Sequence, residues 1–472
     1  MEYEDTNILR TQYVDDLVNQ RQALEDAILY QNAQVLPGEG LDTMVPKVQS
    51  LTGSKPSVPY FSNYGGLYAK NAEYMKYINF YNWTNFDYFA SYSSFNSSNK
   101  ADLRDLAFSN IITARYCFQY ARTIYLPSSF RCENIINAEG MFDQQNSNSS
   151  GILIENEEPL NFKKLEIADY MFRGVGLPSY TSDKDIKGSR KPINITSNRL
   201  TSTKYMFHKV SLYLDTVYGN HNCRWATLFY YNMIKNLNVT NVKTANYMFG
   251  SCSLTLECVD VISNLNFENL EDAERMFSGI VSVVEVDEDN FSSTTTNASV
   301  LNLSKMFLPK VKNMNNMFSE CSYVKNIIAP SVPFGTVTNM YRMFRSLSNL
   351  VSLDISRINM ESVTDITDLL SSSPKLENVI FGYNLGKGYT NKSNNTTKYC
   401  LVCTSTVLTR DSAVNIINRL YDLNITYGVY DEEGNPGTGK LYTQKLDLDA
   451  SVINQLTPEE IAVATNKGWT VV

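Results

Sequence analysis

Histidine is nearly missing from this chain: His208 and His221 are the two in 472 residues. That leaves few candidates for histidine-based acid–base chemistry or nucleophile activation. Both fall in one long repeat unit, where exposed loop positions are expected. The eight cysteines are irregularly spaced, with one Cys-x-x-Cys at Cys400 and Cys403. A zinc site needs a second such pair or two histidines at ligand spacing, so free thiols in a reducing compartment are expected instead. No apolar run reaches the 18 or so residues of a membrane span. The start, Met1-Glu2-Tyr3-Glu4-Asp5, is acidic and unlike a secretory signal. The net charge of -8 comes from interspersed acids and bases, without the basic patch expected of a nucleic-acid binder. No phosphate loop, dinucleotide fingerprint or nucleophile elbow occurs. Glu285, Asp287, Glu288 and Asp289 form the densest acidic run, but no glycine stands where a calcium loop needs one. A solvated turn is the expectation there. Neither a cofactor nor catalysis follows from any of these patterns.

What the chain has is repetition. Met-Phe recurs at 141, 171, 206, 248, 276, 306, 317 and 343. Setting Leu301, Ile327 and Leu353 as position 1 of a 26-residue unit aligns the last third without a gap. Position 3 is then Leu303, Ala329 and Ile355; position 11 is Val311, Val337 and Val363; position 14 is Met314, Met340 and Ile366. Positions 17 and 18 are Met317-Phe318, Met343-Phe344 and Leu369-Leu370, and position 24 is Val324, Leu350 and Leu376. A fourth unit starts at Val379. Met306-Phe307 falls at positions 6 and 7, outside the motif. Positions 1 and 3 have strand spacing, and positions 11, 14, 17 and 18 have helical spacing. Each unit is therefore expected to be a strand, a turn and a short helix. One unit cannot bury its apolar face alone, and stacked units can. Copies with insertions trace outward through Met276-Phe277, Met248-Phe249, Met171-Phe172, Met141-Phe142 and Cys117-Phe118 to Asp87-Tyr88-Phe89. Cys117, Cys252 and Cys321 stand at core positions, which fits small buried groups better than ligands.

The run Leu301-Asn302-Leu303-Ser304 through Val311, Met314, Met317-Phe318 and Cys321 resembles the BspA-like leucine-rich repeats. The resemblance covers about residues 105 to 385 and implies surface attachment and recognition. Two further stretches resemble bacteriophage tail and minor structural proteins. One lies within Val14 to Leu51. The other is Leu456-Thr457-Pro458-Glu459-Glu460-Ile461 through Lys467-Gly468-Trp469-Thr470, the more specific of the two. These resemblances imply a virion protein assembled in the host cytoplasm.

Local chemistry supports elements at both ends. Thr457, Pro458 and Glu460 form a capping box with proline at the first helical position, Gly468 is a C-cap, and Trp469 to Val472 can add a strand. An earlier helix is expected from about Thr409 to Leu420. Such a module can cover the last apolar face of a solenoid. Near the start, Val14, Leu17, Leu24 and Ile28 have near-heptad spacing, read either as an oligomerising coiled coil or as a helix lying over the first repeat.

The expected fold is an α/β repeat: a leucine-rich-repeat solenoid with short parallel strands and short helices, an N-terminal helix and a C-terminal α/β cap. Its expected divisions are an attachment module at 1–55, a linking or degenerate repeat at 56–104, the solenoid at 105–390 and the capping module at 391–472. Longer units break the register near 143–160, 178–200, 208–235 and 286–299, with many Asn, Ser, Thr, Tyr and Gly residues. Loops on a rigid scaffold are where recognition usually sits. Tyr180, Tyr218, Trp225 and Tyr230 are therefore binding candidates; each can equally fill a gap beneath its own loop. The 31 tyrosines suit either a recognition surface or β-rich packing. Met248, Phe249, Met276, Phe277, Met317, Phe318, Met343, Phe344, Leu369 and Leu370 are the expected repeat core. Asn302, Ile328, Asp354 and Ile380, between the strand anchors, are expected on the outer sheet face. The expected partners are other virion proteins through the N-terminal region, a host surface glycan or protein, and a second copy of the chain. Nucleic acid and membrane insertion are not expected.

Overall fold

A computed structural model of the chain describes residues 84–90, 100–144, 153–175, 191–210, 233–284, 299–387, 398–424, 427–430, 436–439 and 444–472, apart from 105, 109, 122, 157 and 334–335. The N-terminal helix expected before residue 32 lies outside them, as do Tyr180, Tyr218, Trp225, Tyr230, His221 and the acidic run from Glu285. The chain forms two compact units, Met1–Ser197 and Asn198–Val472.

The second unit carries the regular repeat. Strands β8 (Val300–Asn302), β9 (Asn326–Ile328), β10 (Ser352–Asp354) and β11 (Asn378–Ile380) form one parallel sheet in chain order. Leu301 pairs with Ile327, Ile327 with Leu353, and Leu353 with Val379, so the strand register equals the sequence register. These anchors are buried, whereas Asn302 and Ile380 between them are exposed. Upstream lie β6 (Ser253–Thr255), α1 (Leu256–Ser263) and β7 (Ser282–Val284), with β6 and β7 also parallel.

The helix expected at positions 11 to 18 does not form. Residues 315–320, 341–346 and 367–372 are successive turns. The reason lies in where the backbone groups go. Met314, Asn316, Phe318 and Glu320 donate their N–H groups to the carbonyls of Asn339, Tyr341, Met343 and Arg345 in the next unit, at 2.8–3.0 Å. Met317 and Ser319 donate within the turn, to Met314 and Asn316. Alternate amides thus bond sideways and the rest locally, whereas a helix would use them all along its own axis. Two left-handed residues per unit bend the chain this way: Asn316 and Glu320, Arg342 and Ser346, Asp368 and Ser372, all with φ of 54–65°.

Position 13 fastens each turn. Asn313, Asn339 and Asp365 accept the N–H of the residue two places on, at 2.9–3.0 Å, as Asx turns. They also bridge one another in a parallel row that begins at Ser202 and passes through Thr244 and Asp272. Beneath the turns runs a ladder of phenylalanines. Phe207, Phe249, Phe277, Phe318 and Phe344 stack at 5.5–5.7 Å between successive rings. All ten residues expected in the repeat core are buried, whereas Phe307 of the out-of-register Met-Phe pair is 47% exposed.

The first unit uses the same turn. β1 (Lys100–Asp102), β2 (Thr123–Leu126) and β3 (Leu153–Asn156) are parallel and in order, and β4 (Leu160–Phe162) pairs with β5 (Ile193–Ile195). Asn85, Thr113, Asn137 and Ile167 make the corresponding row of bridges. Phe118, Phe142 and Phe172 stack at 5.7 and 5.5 Å. Left-handed tyrosines occupy the bend at Tyr88, Tyr116 and Tyr170.

After the last repeat come β12 (Lys398–Val402), α2 (Arg410–Arg419), the antiparallel pair β13 (Tyr427–Tyr430) and β14 (Pro436–Gly439), β15 (Gln444–Asp447), α3 (Ala450–Ile453), α4 (Pro458–Asn466) and β16 (Trp469–Val471). β12, β15 and β16 form a parallel sheet in that order. Thr409 caps α2 by accepting from Ser412 N at 3.3 Å. The capping box of α4 forms with Thr457 and Glu460, and Gly468 sits just past the C-cap at φ 82°. Lys467 reaches back to the carbonyls of Ile417 and Asn418 at the end of α2, at 3.1 and 2.9 Å.

Candidate recognition surface

The turns carry a row of polar and aromatic side chains. In the second unit, left-handed Tyr205 and Tyr247 stack at 4.4 Å between ring centroids, and Arg275 lies over Tyr247 at 5.3 Å. Arg342 lies over Tyr341 at 4.6 Å and pairs with Asp368 at 2.9 Å. Every ring in this row is partly exposed. A left-handed non-glycine residue costs about 1–2 kcal/mol, and stacked or cation–π contacts of about 0.5–1.5 kcal/mol offset much of that cost.

His208 does not occupy an exposed loop position. It belongs to the turn at Tyr205 and is buried, edge-on to the rings of Tyr205 and Tyr247 at 5.2 and 5.6 Å. The next turn makes room for it at Gly250, where a Cβ would come within 3.1 Å of the imidazole. The histidine is held by the repeat itself, and the register around Met206-Phe207 is the feature that marks it.

The first unit has a charged version of the row. Arg115 bonds Glu139 at 3.1 Å and reaches Asp87 at 3.9 Å on the other side. The Tyr116 hydroxyl donates to Glu139 at 2.9 Å; partial burial and this bond raise its pKa. Further in, Asp143 is fully buried and grips Arg173 through two bonds of 2.9 and 2.6 Å, while Gln119 donates to it at 3.1 Å. Tyr170 covers the guanidinium at 4.4 Å. The acid is thus paired and fully engaged inside the turn stack.

Six cysteines, Cys117, Cys132, Cys252, Cys258, Cys321 and Cys403, are free and buried. Burial pushes the thiols of Cys252, Cys321 and Cys403 up to about 12. Cys252 and Cys321 do more than fill space. Their thiols donate to the carbonyls of Phe207 and Phe277, one unit back, at 2.9 and 3.1 Å. Ser373 makes the equivalent bond to Phe344 at 3.2 Å. Among the described residues no group of His, Cys, Asp and Glu could hold a metal ion, and no helix is long and apolar enough to cross a membrane.

On the sheet side, Asn302 and Ile380 are exposed and Ile328 and Asp354 half-buried, a mixed polar and apolar strip. Tyr383, 68% exposed, lies under Arg419 at 3.8 Å. Sequence reasoning passed over Tyr383 and the row of left-handed tyrosines. The loop candidates Tyr180, Tyr218, Trp225 and Tyr230 lie outside the described residues.

Neither the curated proteins nor the solved structures provide a match to this chain. Residues 196–290, 220–310 and 288–399 each match the family described as Mycoplasma protein of unknown function, DUF285. The matches cover the phenylalanine ladder of the second unit and its four-stranded sheet. They do not include residues 14–51 or 456–470, and they give no support to the phage-tail resemblance. The repeat region at 196–399 is therefore similar to this DUF285 family, in keeping with a BspA-like repeat.

Proposed function

We propose that the chain is a non-catalytic recognition and structural protein, a leucine-rich-repeat solenoid that holds variable loops against a cell surface. One observation carries this reading. Ladder partners lie 26 residues apart in the late units, as for Thr338 and Lys312, yet 41 apart for Thr203 and Thr244 and 33 apart for Asn194 and Asn161. The bonding pattern continues across these gaps. These spacings exceed the 26-residue unit by 15 and 7 residues, room for inserted loops on a scaffold.

Within this reading, the ends that resemble phage tail proteins favour a virion component of the tail, baseplate or fibre type. Its N-terminal region would attach to other virion proteins and its loops would contact a host glycan or protein. Mass spectrometry of purified particles tests this assignment, and absence from intact virions rejects it. The second reading is a bacterial surface adhesin, favoured by the match to a family named for a bacterial genus.

Recognition itself is tested by cell binding. The whole protein is compared with a variant in which residues 178–190 and 211–231 are replaced by short Gly-Ser linkers. Loss of binding supports the loop reading; equal binding by both proteins rejects it.

A further inference from the structure

The last strand of the repeat sheet is closed in an unusual way. Inside the sheet, Leu303, Ala329 and Ile355 each donate the position-3 N–H forward, to Ile328, Asp354 and Ile380 on the following strand, at 2.9 Å. Phe381 holds the same place just past β11, and among the described residues no further strand pairs with β11. Its N–H goes instead to the side chain of Asn415 on α2, at 3.3 Å. Val379, two residues earlier, donates to the hydroxyl of Ser412 at 3.1 Å. Ser412 in turn donates to the carbonyl of Glu377 at 2.9 Å. The flanks are sealed by backbone: Val407 N and Thr409 N bond to Leu376 and Glu377, and Leu385 exchanges bonds with Arg419 and Tyr421. Side chains spaced three apart on one helix face thus replace the acceptors of a missing strand.

We propose that α2 is a strand-mimicking plug, with Ser412 and Asn415 closing the β11 edge against pairing with β11 of a second copy. An open strand edge is a template for another strand. A second copy offers the same edge, and two identical edges can pair about a two-fold axis. Ile380, 44% exposed between the two plugged amides, would lie at the centre of that pairing. Nothing else in this strand opposes it: Asn378-Val379-Ile380 carries neither charge nor proline.

The test uses the full chain with Ser412→Ala and Asn415→Ala together. Amide exchange is read at Val379 and Phe381, and sedimentation velocity is followed over a hundredfold concentration range. The expected result is at least tenfold faster exchange at both amides in dilute protein, and concentration-dependent dimers absent from the wild type. Adding Ile380→Lys, which sets like charges opposite each other, should abolish those dimers. Unchanged exchange overturns the plug. Faster exchange without association, or dimers that survive Ile380→Lys, overturns the pairing. If the double change unfolds the chain, Asn415→Leu, which preserves the bulk of the side chain, is read by the same measurements and criteria.

Discussion

The ring of Tyr116 occupies the space a side chain on Gly140 would need: a Cβ there would lie 2.2 Å from Tyr116 Cε1. Gly140 is also left-handed, at φ 58°. Its neighbours in the same row are tyrosines, so the glycine is the gap into which Tyr116 folds to reach Glu139. Gly140→Ala should therefore destabilise the first unit by about 2–4 kcal/mol, combining steric overlap with left-handed strain. Urea denaturation followed by tyrosine fluorescence checks this, and a loss below the error of the midpoint would reject the packing.

Glu320 tests the bend by itself. It is exposed, has φ 65°, and occupies the place held by Gly174 and Gly279 in other turns. Glu320→Gly should leave stability unchanged or raise it by up to about 1 kcal/mol, since relief of strain opposes the entropy of an added glycine. Glu320→Val should cost about 1–2 kcal/mol, because a branched side chain fits this region poorly. Thermal unfolding should rank the three proteins Gly, Glu, Val from most to least stable.

These bends are also where the amino-acid pattern was misleading. Apolar residues at positions 11, 14, 17 and 18 fit a short helix and a tight coil of turns equally well, because both bring every third or fourth residue inward. The distinguishing signals are polar: Asn or Asp at position 13, and glycines at 140, 174 and 279 in the two bend positions. The strands were legible because positions 1 and 3 alternate cleanly around an outward residue. The capping box of α4 was legible because Thr457, Pro458 and Glu460 act within one turn. The plug of Ser412 and Asn415 was not, since it depends on residues more than 30 positions away.

Buried thiols give a chemical prediction. With Cys321 raised to about 12 by burial, its thiolate fraction at pH 8 is on the order of 10⁻⁴. Six of the eight cysteines are buried, so a thiol reagent should modify at most Cys223 and Cys400 in native protein at pH 8. All eight should react once the chain is unfolded in guanidinium. Cys321→Ser should preserve the bond to Phe277, as Ser373 does to Phe344, and cost less than Cys321→Ala.

Asp143 should be the most sensitive charged residue of the first unit. Removing it in Asp143→Ala leaves Arg173 and Gln119 without their shared acceptor in a buried turn. The expected cost is about 3–5 kcal/mol, the range for breaking one side of a buried pair. Equilibrium denaturation of the purified variant measures it.

Glu271 carries a pH dependence of known sign. Its bond and ion pair with Lys312, at 2.8 Å, hold its pKa below the ordinary 4.5. A lowered carboxylate pKa adds stability that is fully present above the unfolded value and disappears as pH falls through the folded one. The stability difference between wild type and Glu271→Gln should thus be constant at neutral pH and shrink below about pH 4.5. Because the pair is exposed, 0.5 M salt should shrink it as well.

The most direct test of the ladder is removal of one unit. Deleting residues 326–351, 26 positions, should bring Asn302 beside Asp354 and Phe318 beside Leu370 with the backbone register preserved. Circular dichroism and thermal melting should show a folded chain with a cooperative transition close to that of the wild type. Deleting 13 residues, 326–338, breaks the register and should prevent cooperative folding. If the 26-residue deletion disrupts folding as completely as the 13-residue one, the stacked-unit description is wrong.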